Sequence, residues 1–170
     1  SRVVGAFCEK RDPYLAFVSY RRGLCDNELY ELCMKHQLFK ELASYLVNRE
    51  SEDLWARVLN PNNASRKMII EQVTNSALME VKEPEKVAST IKALLAAQLP
   101  DVLIELLEKL TLQTTSSSFS RNRNLQNLLI LTAMKADRKR VSEFIARLDN
   151  FAGEEVATIA IENELYDEAF

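Results

Sequence analysis

Histidine and cysteine supply most protein nucleophiles, general bases and metal ligands, and this sequence has few of them. His36 is the sole histidine, and Cys8, Cys25 and Cys33 lack CxxC spacing. A Ser-His-Asp or Cys-His arrangement would have to use His36, and a zinc site would need another well-spaced ligand. We therefore expect no catalytic, metal-binding or cofactor-binding residues. The cysteines are interpreted as reduced, buried hydrophobes of a cytosolic protein.

Carboxylate pairs are the next candidates for chemistry. Glu154-Glu155 and Asp167-Glu168 lie where helices are expected to begin, and acids at such positions stabilise the helix dipole. The sequence contains neither GxxxxGK[ST] nor GxGxxG, so no phosphate-binding loop is indicated. Together these observations predict a protein that is not an enzyme and that binds no cofactor.

Basic residues occur in short clusters scattered among acids, without interleaved aromatic residues. The 22 Lys and Arg against 25 Asp and Glu give a net charge of −3, which predicts no nucleic-acid interface. The clusters are Lys10-Arg11, Arg21-Arg22, Arg66-Lys67 and Arg138-Lys139-Arg140, and we interpret them as solvated surface residues. Lys10-Arg11 and Arg138-Lys139-Arg140, at predicted helix junctions, are also candidate contacts for acidic partner surfaces.

The elements that carry these residues are predicted to be helices. Only 3 Gly and 4 Pro among 170 residues argue against a sheet built from many tight hairpins. Apolar residues recur with helical spacing, as in Val141, Phe144, Ile145 and Leu148, and no long period-2 alternation occurs. Helices are predicted at 2–9, 13–22, 27–36, 38–48, 52–59, 64–79, 84–97, 100–112, 121–136, 138–149, 153–163 and from 165 onward.

Turn and cap residues support these boundaries. Asp12-Pro13 reads as an N-cap followed by a helix-starting proline, and Gly23 suits the end of the same helix. Asp26, Ser51 and Asp137 are further predicted N-caps. The lone tryptophan, Trp55, is predicted to pack in the core.

One junction recurs along the chain. Gln37-Leu38, Gln98-Leu99 and Glu164-Leu165 each place an amide or acid before a leucine at a helix–helix connection. Short helices with short connections must fold back as antiparallel hairpins. A weak repeat of such hairpins predicts an all-α fold, an α-solenoid in which neighbours bury each other's apolar faces.

We expect residues 1–170 to form a single continuous solenoid fragment. Residues 111–120 are predicted to be a flexible Ser/Thr-rich loop, whose hydroxyl groups are candidates for phosphorylation. The chain starts at Ser1 and stops at Phe170 inside an apolar segment, so we expect a piece of a longer chain without a signal peptide. Each end is expected to expose apolar residues.

Particular strings carry a family resemblance that covers essentially the whole chain. They resemble the clathrin heavy chain and occur in family order. These strings are Ser1-Arg2-Val3-Val4-Gly5, Cys8-Glu9-Lys10-Arg11-Asp12-Pro13, Leu103-Ile104-Glu105-Leu106-Leu107-Glu108-Lys109, Asn124-Leu125-Gln126-Asn127-Leu128-Leu129-Ile130-Leu131-Thr132-Ala133, Lys135-Ala136-Asp137-Arg138 and Arg147-Leu148-Asp149-Asn150. Segments 6–7, 29–34, 60–67 and the Ser-rich loop depart from the family pattern.

The resemblance implies a leg segment around the distal leg and knee, spanning the later part of one clathrin heavy-chain repeat and the earlier part of the next. It implies a structural role in the self-assembling polyhedral coat of vesicles in endocytosis and intracellular membrane traffic. The implied partners are other heavy-chain legs and a light chain bound mainly outside this segment, with membrane contact only indirect, through adaptors. The implied localisation is cytoplasmic, at coated pits and coated vesicles.

Two alternatives remain open from the residues alone. One is a helical-repeat subunit of a membrane-tethering or vacuolar sorting complex, since such complexes use similar repeats. The other is a regulatory subunit of an enzyme. Full-length sequence and co-purifying partners would distinguish the three.

Overall fold

A computed structural model describes residues 1–162, and helices account for all the regular structure in that part of the chain. No strand occurs among these residues, so the all-α prediction is confirmed. The α-helices are α1 (Arg2–Glu9), α2 (Pro13–Arg22), α3 (Asp26–His36), α4 (Phe39–Arg49), α5 (Glu52–Val58), α6 (Arg66–Gln72), α7 (Ala88–Ala96), α8 (Pro100–Leu112), α9 (Ser117–Ser120), α10 (Arg123–Ala136), α11 (Val141–Arg147) and α12 (Gly153–Glu162). The helix predicted from 165 lies outside the described residues.

Three tighter or wider helical turns adjoin these helices. A π-helical segment, Val73–Ala77, continues α6, and the 3₁₀ segments Pro84–Val87 and Arg138–Arg140 lead directly into α7 and α11. The predicted helices 64–79, 84–97 and 138–149 therefore correspond to composite elements. The spacing of apolar residues predicted where these helices lie. The backbone hydrogen bonds then divide each of them into an α-helix and a π-helical or 3₁₀ segment.

Several predicted caps are present. Asp12 Oδ1 accepts hydrogen bonds from the backbone N–H groups of Tyr14 at 2.9 Å and Leu15 at 3.2 Å. Ser51 Oγ likewise accepts from Leu54 N at 3.4 Å. Each bond satisfies a donor that the first turn of a helix would otherwise leave without a partner.

One predicted cap is wrong, and another occupies its N-cap position without the expected side-chain hydrogen bond. Cys25 occupies the N-cap position of α3, and Asp26 is the first helical residue, so its carboxylate is left available for long-range contacts. Asp137 ends α10 and precedes the 3₁₀ turn but makes no side-chain cap hydrogen bond.

Gly23 ends α2 as predicted, but the left-handed residues near helix C-termini are not glycine. Leu24, Gln37, Glu50 and Gln98 have positive φ angles of 50–56°, whereas Gly23 has a φ of −89°. At the two predicted Gln-Leu junctions, Leu38 N donates to Cys33 O and Leu99 N donates to Leu94 O, at 2.9 and 3.1 Å. This five-residue-back bond with a left-handed residue before it is the Schellman geometry. The recurrence read from sequence is thus a recurrent backbone turn.

Residues Ser1–Val81 form one compact unit, in which α1 packs on α2, α2 on α3 and α3 on α4, and α4 packs on α6 and its π-helical extension. α1 approaches α2 closely because Gly5 has no side chain: a Cβ placed there would lie 2.2 Å from Tyr20 Cε1. Trp55 is buried, as predicted, although its Nε1 has no hydrogen-bond partner. On its outer side α1 leaves Val3, Val4 and Phe7 exposed, as expected from sequence.

Lys82–Phe170 form the second compact unit, of which residues 82–162 are described. α10 is central to it and packs on α8, α11 and α12, while α8 also contacts α7 and α9. The interior side chains include Leu103, Leu107, Leu129, Ile130 and Phe144, all without exposed surface. The burial of one face of α10 agrees with its predominantly apolar sequence.

The Ser/Thr-rich segment 111–120 has helical parts at both ends. Thr111 is the penultimate residue of α8 and is buried, and Ser117–Ser120 form the single helical turn α9, with Phe119 buried. The hydroxyl groups of Ser116 and Ser118 lie 2.8 Å apart. Flexibility and phosphorylation of this segment, and the assignment of residues 1–170 to one continuous domain, stay predictions.

Candidate functional site

The histidine and the three cysteines are mostly in structural positions. His36 is half-buried in the last turn of α3, where a cation or polar ring suits the helix dipole, and its Nε2 has no hydrogen-bond partner. Cys33 is fully buried one turn earlier, and desolvation raises the pKa of its thiol to about 12, with Glu41 contributing. Cys8 and Cys25 are half-buried, and all three thiols are free.

The paired carboxylates considered for acid–base chemistry lie at the start of a helix or outside the described residues. Glu154 and Glu155 lie in the first turn of α12 and are exposed, and Asn127 Nδ2 donates to Glu155 at 3.5 Å. Asp167-Glu168 fall outside the described residues. Within residues 1–162, no group of three or more His, Cys, Asp or Glu side chains is placed to hold a metal ion. No helix in the same range combines the length and apolar character of a membrane span.

Asp26 is the centre of a polar network between α3 and α4. Its Oδ1 accepts from Tyr45 Oη at 2.5 Å and from Arg49 Nε at 3.1 Å. Burial raises the pKa of Tyr45, and the hydrogen bond to Asp26 raises it further. The carboxylate predicted to cap α3 therefore holds α4 in place instead.

A cleft of about 520 Å³ opens in the first unit, with Leu32 and Tyr20 buried in its lining. Three ion pairs cross between helices at its walls: Glu9 with Lys35, Glu28 with Arg2 and Glu31 with Arg57. Arg2 and Lys35 are exposed, and exposed pairs contribute little to stability. Each cleft carboxylate thus has a partner within the chain.

A second charged network joins α8 to α11. Arg140 Nη2 lies 2.9 Å from Glu108 Oε1, and Arg140 Nε lies 3.5 Å from Glu143 Oε2. The Arg140 guanidinium also lies 4.6 Å from the centre of the Phe144 ring. Arg147 reaches Glu143 at 2.9 Å, and this hydrogen bond is the main reason that the pKa of Glu143 lies below its usual range.

The predicted basic clusters therefore differ in what their side chains do. In Arg138-Lys139-Arg140 only the third residue is held by ion pairs, and the first two are exposed. Lys10 and Arg11 are also exposed, with the Arg11 guanidinium 4.1 Å from the centre of the Phe7 ring. The remaining clusters end α2 and start α6, with Arg66 partly buried and donating to Leu59 O at 3.4 Å.

An amide network that sequence reasoning missed links α10 to the turn after α11. Gln126 is 1% exposed, and its Nε2 donates to Ser120 O at 2.6 Å and to Asp149 Oδ1 at 3.1 Å. Its Oε1 accepts from Asn150 N at 2.8 Å, and Asn150 Nδ2 donates to Arg121 O at 2.6 Å. We call these residues the amide clamp. The sequence does contain a sign of this network, because Gln126 lies among the leucines of an apolar helix. A buried amide side chain is normally hydrogen-bonded.

The polar networks join helices to one another. Asp26 joins α3 to α4, Gln126 joins α10 to the turn after α11, and Arg140 joins α8 to the start of α11. The clathrin family model, described as a region in clathrin and VPS, matches residues 1–70 and 78–170.

Curated relatives align over the whole chain. The probable clathrin heavy chain 1 of Caenorhabditis elegans is 56% identical over all 170 residues. The clathrin heavy chain of Drosophila melanogaster and clathrin heavy chain 2 of Homo sapiens are each 55% identical over the same length. In each case the chain spans about 10% of the relative's length. The chain therefore belongs to the clathrin heavy-chain family.

Proposed function

We propose that this chain is a structural segment of a clathrin heavy chain, in the leg around the distal leg and knee. In this role it is part of the self-assembling polyhedral coat of vesicles in endocytosis and intracellular membrane traffic. The identity of 55–56% over all 170 residues with heavy chains of three animals carries this proposal. An all-α series of short, consecutively packed helices supports it.

The proposed work of the segment is to transmit force and hold shape. Interlocking apolar faces resist bending, and hydrogen-bonded networks such as the amide clamp fix the angle between successive helices. Polar surfaces would meet neighbouring heavy-chain legs through weak contacts repeated many times. Such multivalency makes a lattice stable while each contact remains reversible.

The proposed partners follow from the same role. They are other heavy-chain legs, and a light chain bound mainly outside this segment, at the cytoplasmic face of coated pits and coated vesicles. Contact with membrane would be indirect, through adaptors. We propose no catalytic activity and no cofactor for the segment. The tethering-complex alternative is not favoured, because the curated relatives compared above are named heavy chains.

The experiment that tests the proposal uses the full-length protein that carries this sequence. After purification it is incubated under assembly conditions and imaged by electron microscopy. We expect closed polyhedral cages, with residues 1–162 fitting helical density in the legs. Discrete complexes without cages, or stable co-purification with tethering subunits or a catalytic partner, would contradict the proposal.

A further inference from the structure

The start of the composite helix 138–147 carries an unusual charge pattern. The 3₁₀ turn Arg138–Arg140 runs directly into α11, so three consecutive cations occupy its first turn. The N-terminal end of a helix is the positive end of its dipole and favours acids. Placing cations there costs free energy. We therefore ask whether ion pairs within the fold offset this cost, or whether the cations serve to bind a partner.

For one of the three cations, contacts within the fold offset the cost of its position. Arg140 pairs with Glu108 and Glu143 and covers the Phe144 ring. These contacts hold the first turn of the composite helix against α8. The position of the two preceding residues is thereby fixed by the fold.

The other two cations have no such compensation. Arg138 and Lys139 are exposed, and neither makes an ion pair within residues 1–162. Lys135 is also exposed in the last turn of α10, and the only acid between these residues is Asp137. We call Lys135, Arg138 and Lys139 the basic corner.

We propose that the basic corner is a docking surface for an acidic peptide segment of a partner protein. Locally unfavourable residues that the fold does not compensate are expected at functional sites. Exposed cations attract carboxylates. Because the backbone that carries them is already ordered, binding restricts only their side chains. The whole chain has a net charge of −3, so any attraction for an acidic peptide must come from a local surface and not from the charge of the chain as a whole. The inference concerns this surface alone and does not depend on the proposed coat role.

The test is a binding titration with the full-length protein and a fluorescein-labelled peptide of alternating Glu and Gly. A peptide with Gln in place of Glu measures the part of the binding that does not depend on the negative charge of the peptide. The test variant is K135Q/R138Q/K139Q. The control variant is K40Q/K67Q/K92Q, which removes three exposed lysines elsewhere in the chain. Because all six side chains are exposed, both variants are expected to melt at the parent's temperature.

We expect saturable anisotropy changes with the Glu peptide, weakening with salt as charge screening increases. The basic-corner variant should bind about tenfold more weakly, while the control should bind within about twofold of the parent. Absence of saturable binding at low salt, equal losses in both variants, or equal binding of the Gln peptide would each overturn the proposal. Self-association that is lost in the basic-corner variant alone would assign the surface to a second copy of the chain, and would also overturn it.

Discussion

At the scale of single residues, the close packing or hydrogen bonding of neighbouring groups makes substitution costly at a few positions in this chain. Gly5 allows the Tyr20 ring to lie against the backbone of α1. Gln126 satisfies backbone groups on two different turns. Neither position contacts solvent freely, so changes there act on packing and hydrogen bonding within one unit.

Gly5→Ala should destabilise the first unit by about 1–3 kcal/mol, because the added methyl group overlaps the buried Tyr20 ring and forces α1 away from α2. Urea denaturation followed by far-UV circular dichroism, which reports on helices of both units, measures the change in the free energy of unfolding. Gly153→Ala is the matched control. A Cβ there meets nothing within 4 Å, so the same substitution should leave stability unchanged or raise it by about 0.4–1 kcal/mol. Equal effects of the two substitutions would refute the close-packing explanation.

Gln126→Leu should destabilise the second unit by about 1–3 kcal/mol. Leucine has a similar size but leaves the N–H of Asn150 and the carbonyl of Ser120 without their side-chain partner. Gln113→Leu, at an exposed position, should change stability by no more than about 0.5 kcal/mol. Thermal denaturation by circular dichroism compares the two. Faster hydrogen exchange at Asn150 N–H in the first variant alone is the specific signature.

At the scale of elements, four turns after helices within residues 1–162 contain a left-handed residue that is not glycine: Leu24, Gln37, Glu50 and Gln98. The chain, which has only 3 Gly, makes these turns without glycine at the left-handed position. A left-handed conformation costs an L-residue about 1–2 kcal/mol, which the two Schellman hydrogen bonds at Leu38 and Leu99 help to offset. These junctions therefore hold conformational strain that substitutions can release.

Gln98→Gly should raise the free energy of unfolding by roughly 0.5–1 kcal/mol. Glycine removes the steric cost of φ at 55°, and part of that gain is lost to the greater freedom of the unfolded chain. Ala97→Gly, one residue earlier at a φ of −79°, should instead lower stability by a similar amount. Urea midpoints of the two variants should therefore move in opposite directions. Shifts of the same sign would contradict the left-handed assignment.

At the scale of the whole molecule, buried groups with raised pKa values distinguish the first unit. Burial raises the pKa of Cys33 to about 12 and raises that of Tyr45 and Tyr20 as well. The neutral forms of these groups are favoured in the folded state. Among residues 82–162 no cysteine or tyrosine is present, so alkaline sensitivity should begin in the first unit.

The stability of the first unit should fall as pH rises above about 9. In the unfolded chain Cys33 and then Tyr45 lose protons near their ordinary pKa values, while the folded state resists ionisation until higher pH. Below about pH 8 both states hold these protons almost fully, so the contribution of the two groups to stability is constant there. Trp55, the only tryptophan, reports on this unit by fluorescence in urea titrations from pH 8 to 11.

The double variant Cys33→Ala and Tyr45→Phe supplies the check. The double variant should be less stable than the parent at pH 8, but its stability should fall less steeply toward pH 11. The reason is that the two groups that lose protons on unfolding at high pH are absent. Tyr14→Phe, at an exposed tyrosine, should leave the slope unchanged. An unchanged slope in the double variant would exclude these two groups as the cause.

Much of this molecule follows from local sequence. Helical periodicity and scarce glycine predicted the all-α fold, and Asp12-Pro13, Ser51, Pro84 and Pro100 marked helix starts that the structure confirms. Such signals act over one or two turns, since caps and apolar stripes depend on neighbours three or four residues away. The family strings indicated the family, which the comparisons confirm, because long matches in a fixed order are specific.

Tertiary structure decided what each polar side chain does. Asp26 was expected to cap its own helix, but it binds Tyr45 and Arg49, which are about twenty residues away in sequence. Arg138 and Arg140 read alike in sequence, yet only Arg140 lies beside Glu108 on α8. These outcomes depend on which helices meet and at what distance. The energies of hydrogen bonds and ion pairs change steeply over a few ångströms, a separation that the order of residues does not encode.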